Sequence, residues 1–242
     1  MLYHTDIAYS ADGLDELYSG LAVKIHGAVM RLIPTEFAAE LHRNSLQPFS
    51  MFCMETPDKS LAMVRLSALT DDANLISRAL EQHKEIVVYG LRKPLTQINC
   101  QHSEELSAEA LYYSEVPNGY RISFITPAIF RRSGKSHCSP DISRYLISVI
   151  EKMNKFEDYS INQDMLLDYV SAIPLDSYSL NGQRYNVSGS VYNGMTGWAD
   201  IVFPNKTSDN ARLLNAVLRY AEYSGVGAKT AVGMGGISLE PF

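Results

Sequence analysis

The sequence contains little cysteine, and its three cysteines form no recognisable framework. Cys53, Cys100 and Cys138 are an odd number, lie far apart and include no Cys-x-x-Cys pair. Disulfide scaffolds and structural zinc sites have closer, paired spacings. We therefore predict three free thiols, and we expect neither a metal nor another cofactor.

Long apolar runs are also lacking. No segment approaches the run of about 20 apolar residues that spans a bilayer. The first ten residues, MLYHTDIAYS, lack the basic and apolar regions of a signal peptide. We expect a cytoplasmic protein without a membrane partner.

Positive charge is in short supply as well. Lysine and arginine number 21 against 27 acidic residues, for a formal net charge of −6. Because nucleic-acid binding usually leaves an electropositive surface, this balance argues mildly against such a partner, although a local basic patch remains compatible with it. With 46% hydrophobic and 20% charged residues, the 242-residue chain can bury a core and fits two small domains.

The first half alternates between strand and helix patterns. Apolar residues recur at helical spacing from Leu14 to Leu32, after a possible cap at Asp12, and Pro34 ends that helix. The predicted elements are a strand at 2–9, this helix, a short helix from Thr35, strands at 49–54 and 61–69 around a Pro57-Asp58 turn, a helix after Asp71 or Asp72, and a strand at 85–89. A polar stretch follows around residues 101–107.

The second half repeats this order. A strand at 120–126 can pair with 111–116 across Pro117-Asn118-Gly119, and Ser139-Pro140-Asp141 begins a helix with proline in its first position. The remaining elements are strands at 174–180 and 185–192 around an Asn181-Gly182 turn, a strand at 197–203, a helix from Ser208-Asp209 and a glycine-rich strand at 233–239.

A β-α-β-β-α-β unit buries one face of a four-stranded antiparallel sheet under two helices. Two copies predict an α+β protein of tandem ferredoxin-like, RRM-like domains with a cleft between their sheets. We place the N-terminal domain at 1–108 and the C-terminal domain at 109–242. This unit hosts many functions, so the fold alone assigns none.

A glycine-rich loop lies between the last helix and the last strand. Five glycines occur within twelve residues, with one lysine among them: Gly225, Gly227, Lys229, Gly233, Gly235 and Gly236. Bare backbone can bring N–H groups close to a phosphate or a base. A helix C-cap followed by a tight turn explains the glycines equally well. A Walker loop is excluded, because the Gly-Lys-Ser/Thr ending is missing and the loop follows a helix.

The segment YSGVGAKTAVGMGG resembles the C-terminal glycine-rich loop of the CRISPR-associated RAMP endoribonucleases that process precursor crRNA. Three further segments resemble that family in the same order: IHGAVMRLI, ELHRNSLQPFSMF and ISFITPAIFRRSG. The resemblance implies tandem ferredoxin-like domains that bind CRISPR repeat RNA and cleave it without a metal. Attack by the 2′-hydroxyl would leave 5′-hydroxyl and 2′,3′-cyclic phosphate ends. One departure is Gly197-Trp198-Ala199-Asp200, where the family often has Gly-Phe-x-Gly.

Two histidines are the candidate catalytic residues. His42 matches the histidine of the family's Leu-His motif and ends a short helix, where a protonated ring is favoured. His26, in the first helix, falls where relatives present a second catalytic side chain. Two imidazoles can divide the base and acid roles. The structural alternatives are a surface histidine capping helix carbonyls for His42 and a partly buried core histidine for His26.

The candidate RNA-binding residues are basic side chains and the loop. Lys24 and Arg43 could neutralise charge at the phosphorus, and the basic run with Arg131, Arg132 and Lys135 could clamp the RNA backbone. The resemblance adds the five glycines and Lys229 of the glycine-rich loop. For the basic side chains, solvated surface charge is the alternative interpretation.

Two other functions stay open from the sequence. One is a non-catalytic crRNA-binding RAMP subunit of a CRISPR effector complex. The other is an unrelated ferredoxin-like enzyme with a small ligand, which would make four collinear motifs a coincidence. The expected partners are repeat RNA, or precursor crRNA, and other CRISPR effector subunits, with the chain as a monomer or homodimer.

Overall fold

The N-terminal half forms one antiparallel sheet covered by helices. The computed structural model describes residues 1–10, 18–56 and 60–242. The elements of this half are β1 (Tyr3–Ser10), α1 (Tyr18–Val29), α2 (Thr35–Arg43), β2 (Phe49–Glu55), β3 (Leu61–Ala68), α3 (Asn74–Gln82), β4 (Glu85–Ile86) and β5 (Leu95–His102). The strand order is β2-β3-β1-β5-β4.

The C-terminal half forms a second antiparallel sheet. Its elements are α4 (Ala108–Tyr112), β6 (Gly119–Ala128), β7 (Phe130–Arg132), β8 (Lys135–His137), α5 (Ile142–Phe156), α6 (Gln163–Ser171), β9 (Leu175–Val187), β10 (Ser190–Val202), α7 (Asp209–Ser224), a 3-10 turn (Thr230–Val232) and β11 (Ile237–Pro241). The main sheet has the order β11-β6-β10-β9, and β7 pairs with β8 as a separate hairpin.

Both main sheets have the ferredoxin-like strand order. In the first sheet β1 lies between β3 and β5, in the second β6 lies between β10 and β11, and every neighbouring pair is antiparallel. The α+β class and the tandem ferredoxin-like fold are therefore confirmed. The division after residue 108 stays a prediction.

Each sheet has its own hydrophobic core, and a smaller cluster joins the two halves. One core packs β1–β3 against α1–α3, and the other packs β6 and β10 against α5 and α7. The joining cluster contains Ile129, Tyr185, Val187 and Met234, with Val23 of α1 and Ala228 of the glycine-rich loop packed against it. The loop therefore lies where the domains meet.

Several predictions of local structure were wrong. The fourth strand of the first sheet is β5, whereas the predicted strand at 85–89 shrinks to Glu85–Ile86. Residues 111–116 do not form a strand, because Ser107 caps α4 by accepting a hydrogen bond from Ala110 N. The Asn181-Gly182 pair lies inside β9, and the hairpin turns at Ser188-Gly189, where φ is 51° and 86°. Two successive positive φ values suit the twist of a two-residue hairpin.

Helix starts and the last strand also differ from expectation. Asp141, not Pro140, precedes α5 and accepts a hydrogen bond from Ser143 N. Neither Asp71 nor Asp72 caps α3, which begins after Ala73 without a side-chain cap. The last strand was predicted from residue 233 but begins at Ile237, because the 3-10 turn and the positive φ of Gly233 and Gly235 interrupt extended backbone before it. The predicted Asp12 cap and Pro57-Asp58 turn lie outside the described residues.

Two further findings concern composition. The three cysteines are free thiols, as predicted. In the described ranges, no helix combines the length and the apolar character that crossing a membrane requires.

Candidate functional site

A cleft of about 480 Å³ opens between the two halves of the molecule. Its lining comes from α1, the end of α2 and the segment after it, β7, α5 and the glycine-rich loop. Five of the residues predicted from the sequence line this cleft: His26, His42, Arg131, Gly227 and Lys229. Elements distant in sequence thus bring both histidines to the loop.

His42 lies in the last turn of α2 with its side chain exposed to the cleft. The helix end is closed without it, because the Gln47 amide donates to the carbonyl oxygens of Leu41 and Asn44, each at 2.8 Å. Among the described residues the His42 imidazole has no hydrogen-bond partner. Its ring is therefore not used as a helix cap and is available to a ligand.

His26 is half-buried in α1, with its ring stacked on Phe49 at a centroid distance of 6.1 Å. Burial, and secondarily the charge of His42, lowers the pKa of His26 to about 4. The ring of His26 is consequently neutral near pH 7. The two imidazoles also influence one another, as expected for groups that share one cleft.

The glycines of the loop allow close packing of backbone on backbone. Gly227 and Gly235 have φ values of 75° and 70°, and a methyl group on either would stand 2.0 Å from a carbonyl oxygen, that of Ile129 or of Val226. Their N–H groups donate within the protein, Gly227 to Ser148 Oγ at 2.7 Å and Gly235 to the Pro127 carbonyl at 3.0 Å. These two donors are therefore occupied.

Free backbone donors lie in the next segment of the loop. Lys229 adopts a left-handed conformation with φ of 66° and precedes the 3-10 turn. Within the described part of the chain, the N–H groups of Lys229, Thr230 and Ala231 have no acceptor, and all three residues line the cleft. The Lys229 ammonium lies 4.8 Å from the ring centroid of Tyr192. This segment can bind an anion.

Lys152 is a cleft residue that the sequence reasoning missed. Its side chain is 3% exposed and donates to the Ser224 carbonyl and to Thr230 Oγ1, the latter at 2.8 Å. It thereby ties the end of α7 to the start of the 3-10 turn. Burial lowers the pKa of Lys152 to about 7. The signal in the sequence was a lysine on the apolar face of α5, at helical spacing from Tyr145 and Val149.

The other predicted site residues lie outside the lining of the cleft. Gly233 packs against Ala22 and Tyr185, and Gly236 packs against Phe52, so both join the loop to the N-terminal domain or the hairpin. Those outside the lining are Lys24, Arg43, Arg132, Lys135, Gly225, Gly233, Gly235 and Gly236. Arg43, Arg132 and Lys135 are exposed, the last two on the β7–β8 hairpin.

The segment that departs from the family pattern lies within β10. The Arg121 guanidinium stacks 4.0 Å from the Trp198 ring centroid and pairs with Asp200 at 2.8 Å. Gly197, with φ of 107°, leaves no room for a side chain against the Ser179 carbonyl. This segment has a structural role in the sheet.

Similarity to known proteins extends over most of the chain. The family described as CRISPR-associated endoribonuclease Cas6 matches residues 122–237. The Cas6 endoribonuclease of Streptococcus thermophilus is 26% identical over 242 residues, covering 97% of each chain. That of Mycobacterium tuberculosis H37Rv is 24% identical over 229 residues, covering 91% of this chain and 72% of the relative.

Solved structures show the same similarity at the level of fold. The product complex of Cas6 (TTHB231), a Thermus thermophilus protein, has a TM-score of 0.83 at 20% identity and covers 99% of this chain and 100% of its own. The product complex of Cas6 (TTHA0078) has a TM-score of 0.81 at 21% identity, with the same coverage. The family match, the relatives that span most of the chain and the shared tandem ferredoxin-like fold agree with one another, and the chain is therefore similar to the Cas6 family of CRISPR-associated RAMP endoribonucleases.

Proposed function

We propose that this chain cleaves precursor CRISPR RNA within its repeats, by attack of a ribose 2′-hydroxyl and without a metal ion. The observation that supports the proposal is the cleft itself, whose lining includes His26, His42 and residues 229–231 with their free N–H groups. RNA supplies its own nucleophile. The protein therefore has only to move protons and to hold the phosphate.

The two histidines suit different proton transfers. Because its pKa is about 4, His26 is neutral near pH 7 and can accept the proton of the 2′-hydroxyl. This leaves His42 to donate a proton to the 5′-oxygen as its bond to phosphorus breaks. The products are a 2′,3′-cyclic phosphate on one fragment and a 5′-hydroxyl on the other.

The loop supplies the groups that stabilise charge on the phosphorus. The N–H groups of Lys229, Thr230 and Ala231 can donate to the non-bridging oxygens, which carry more charge in the transition state than in the substrate. Arg131 adds an exposed cation on the same cleft. In this interpretation the five glycines shape the loop, and their neighbours contact the phosphate.

The relatives support RNA as the ligand. Solved structures of similar fold include a Cas6 (TTHA0078) substrate mimic complex, with a TM-score of 0.74, and a RAMP protein binding different RNA substrates, with a TM-score of 0.59. Assembly with other CRISPR effector subunits, and the monomer or homodimer state, stay predictions.

A cleavage assay tests the proposal directly. The purified chain, incubated with a labelled repeat RNA and excess chelator, is expected to cut at one position and to leave a 2′,3′-cyclic phosphate. A repeat with a single 2′-deoxy nucleotide before that position is the matched control, and it should bind without being cut. Binding without cleavage of the all-ribose RNA would instead indicate the non-catalytic crRNA-binding subunit, and cleavage that the chelator abolishes would indicate a metal mechanism.

Lys152 predicts a pH dependence of RNA binding. Because its pKa is about 7, the ammonium charge beside the loop is present below pH 7 and is lost as the pH rises through that value. One unit charge near a phosphate contributes about 1 kcal/mol in water, or roughly fivefold in affinity. RNA affinity of the wild type, measured by filter binding, should fall by about that factor from pH 6 to pH 8.

Two variants separate this effect from other titrating groups. Lys152→Met removes the charge and should flatten that part of the pH profile. Lys155→Met removes an exposed lysine from the same helix and should leave the profile unchanged. An unaltered profile in Lys152→Met would contradict the assignment.

A further inference from the structure

A second surface that could bind RNA lies across α1 from the cleft. Residues 87–93 form a turn between β4 and β5, and two apolar side chains anchor it in the core. Val88 is 2% exposed, Leu91 packs against the same core, and Leu91 N donates to the Val88 carbonyl at 3.1 Å. Gly90 has φ of 85°. The turn is therefore held in a defined shape.

This anchoring leaves an aromatic ring in solvent. Tyr89 is 85% exposed, the largest exposure among the large hydrophobic side chains of the described residues, and neighbouring Val87 is 71% exposed. A tyrosine fixed at the apex of a turn has little conformational freedom to lose when it stacks on a planar partner.

Four cations lie on this turn or contact it. The Arg31 guanidinium donates to the Val87 carbonyl at 3.1 Å. The Lys24 ammonium lies against Gly90, and a methyl group added to Gly90 would stand 3.0 Å from the Lys24 nitrogen. Arg92 and Lys93 follow on the same turn and are exposed. In the described ranges, none of the four has a carboxylate within 4.0 Å. A chain with a net charge of −6 thus concentrates positive charge here.

Helix α1 connects this surface to the cleft. His26 and Met30 line the cleft, whereas Lys24 in α1 and Arg31, just after the end of the helix, contact the turn. A helix with its side chains is about 10 Å across. A strand that leaves the cleft over α1 therefore reaches Tyr89 within a few nucleotides.

We propose that Lys24, Arg31, Tyr89, Arg92 and Lys93 bind single-stranded RNA that flanks the repeat. A base stacks on Tyr89 and the neighbouring phosphates contact the four cations, which is the usual chemistry of single-strand recognition. A second copy of the chain fits this surface poorly, because a two-fold contact would set the same cations against each other. The inference rests on the proposed function, since the flank must belong to an RNA held in the cleft.

The test compares RNAs that differ only in their flanks. Three probes are used: the bare repeat, the repeat with a single-stranded extension at its 5′ end, and the repeat with one at its 3′ end. Tyr89→Ala should weaken binding of one extended RNA about tenfold and leave the bare repeat unchanged. Tyr89→Phe keeps the ring and should restore the affinity. The double variant Arg92→Gln, Lys93→Gln should reduce the slope of log affinity against log salt concentration for that extended RNA by about 1.4.

Tyr113→Ala is the matched control, since Tyr113 is 74% exposed and lies in the C-terminal half. It should bind all three RNAs like the wild type. If Tyr89→Ala binds each of the three RNAs as tightly as the wild type does, the inference is wrong and the proposed function stands. An equal loss on the bare repeat overturns it too, because the surface would then belong to the repeat site. A wild type that binds none of the RNAs refutes the proposed function, and the inference with it.

Discussion

Replacing His42 by alanine is expected to lower the rate of repeat cleavage by about 10²–10⁴-fold, the usual contribution of a positioned acid or base. RNA affinity should stay within about twofold, because one exposed ring adds little to a large polyanion interface. The Gln47 amide closes the helix end, so the variant should also keep its melting temperature. Single-turnover cleavage, equilibrium binding and thermal unfolding measure the three quantities separately.

His83 is a control, because its ring has a structural role and no proposed part in cleavage. It follows α3, and its Nδ1 lies 2.7 Å from the Ala79 carbonyl, so its ring caps a helix in the way that was the alternative for His42. His83→Ala should lose some stability and cleave normally. Native cleavage by His42→Ala would remove that residue from the mechanism.

Replacing Gly227 by alanine is expected to destabilise the protein and to abolish cleavage. The new methyl group would stand 2.0 Å from the Ile129 carbonyl oxygen, at a φ of 75° that alanine rarely adopts. Backbone strain of about 1–3 kcal/mol and overpacking of a similar size predict a loss of about 2–6 kcal/mol in the free energy of unfolding. Because the displaced segment carries the donors of residues 229–231, the loop would also lose its alignment with the histidines.

Gly182 is the matched control, since it lies in exposed β9 with nothing within 4 Å of an added methyl group. Gly182→Ala should change the free energy of unfolding by less than about 1 kcal/mol and leave cleavage unchanged. Urea unfolding and single-turnover cleavage of both variants test the pair. If Gly227→Ala kept native stability and activity, the tight packing of the loop would not be needed for the proposed function.

Local signals predicted those elements whose stability is mostly local. Ser208 caps α7 by accepting from Ala211 N, and the apolar spacing of α5 placed the helix on the correct face. The predictions failed where pairing partners decide. The strand β5 has mostly exposed polar side chains, and it is a strand because its backbone pairs with β1. The Asn181-Gly182 signal was overridden because both of its residues pair with β10.

The candidate site divides in the same way. The sequence predicted His26, His42, Arg131, Gly227 and Lys229, all of which line one cleft. Lys152 was missed, since its burial and its bonds to Ser224 and Thr230 depend on how α5 packs against the end of α7. Lys24 was placed at the phosphorus from its position in the sequence, but its ammonium lies against Gly90 on the other side of α1.

The sequence by itself determined the twice-repeated element order and the resemblance to the family, because periodicity, caps and collinear motifs are properties of neighbouring residues. Only the tertiary structure decided which groups share the cleft and which protonation state each of them has. A pKa of about 4 for His26 and about 7 for Lys152 follows from removal of water, and that removal requires segments far apart in the sequence to pack together.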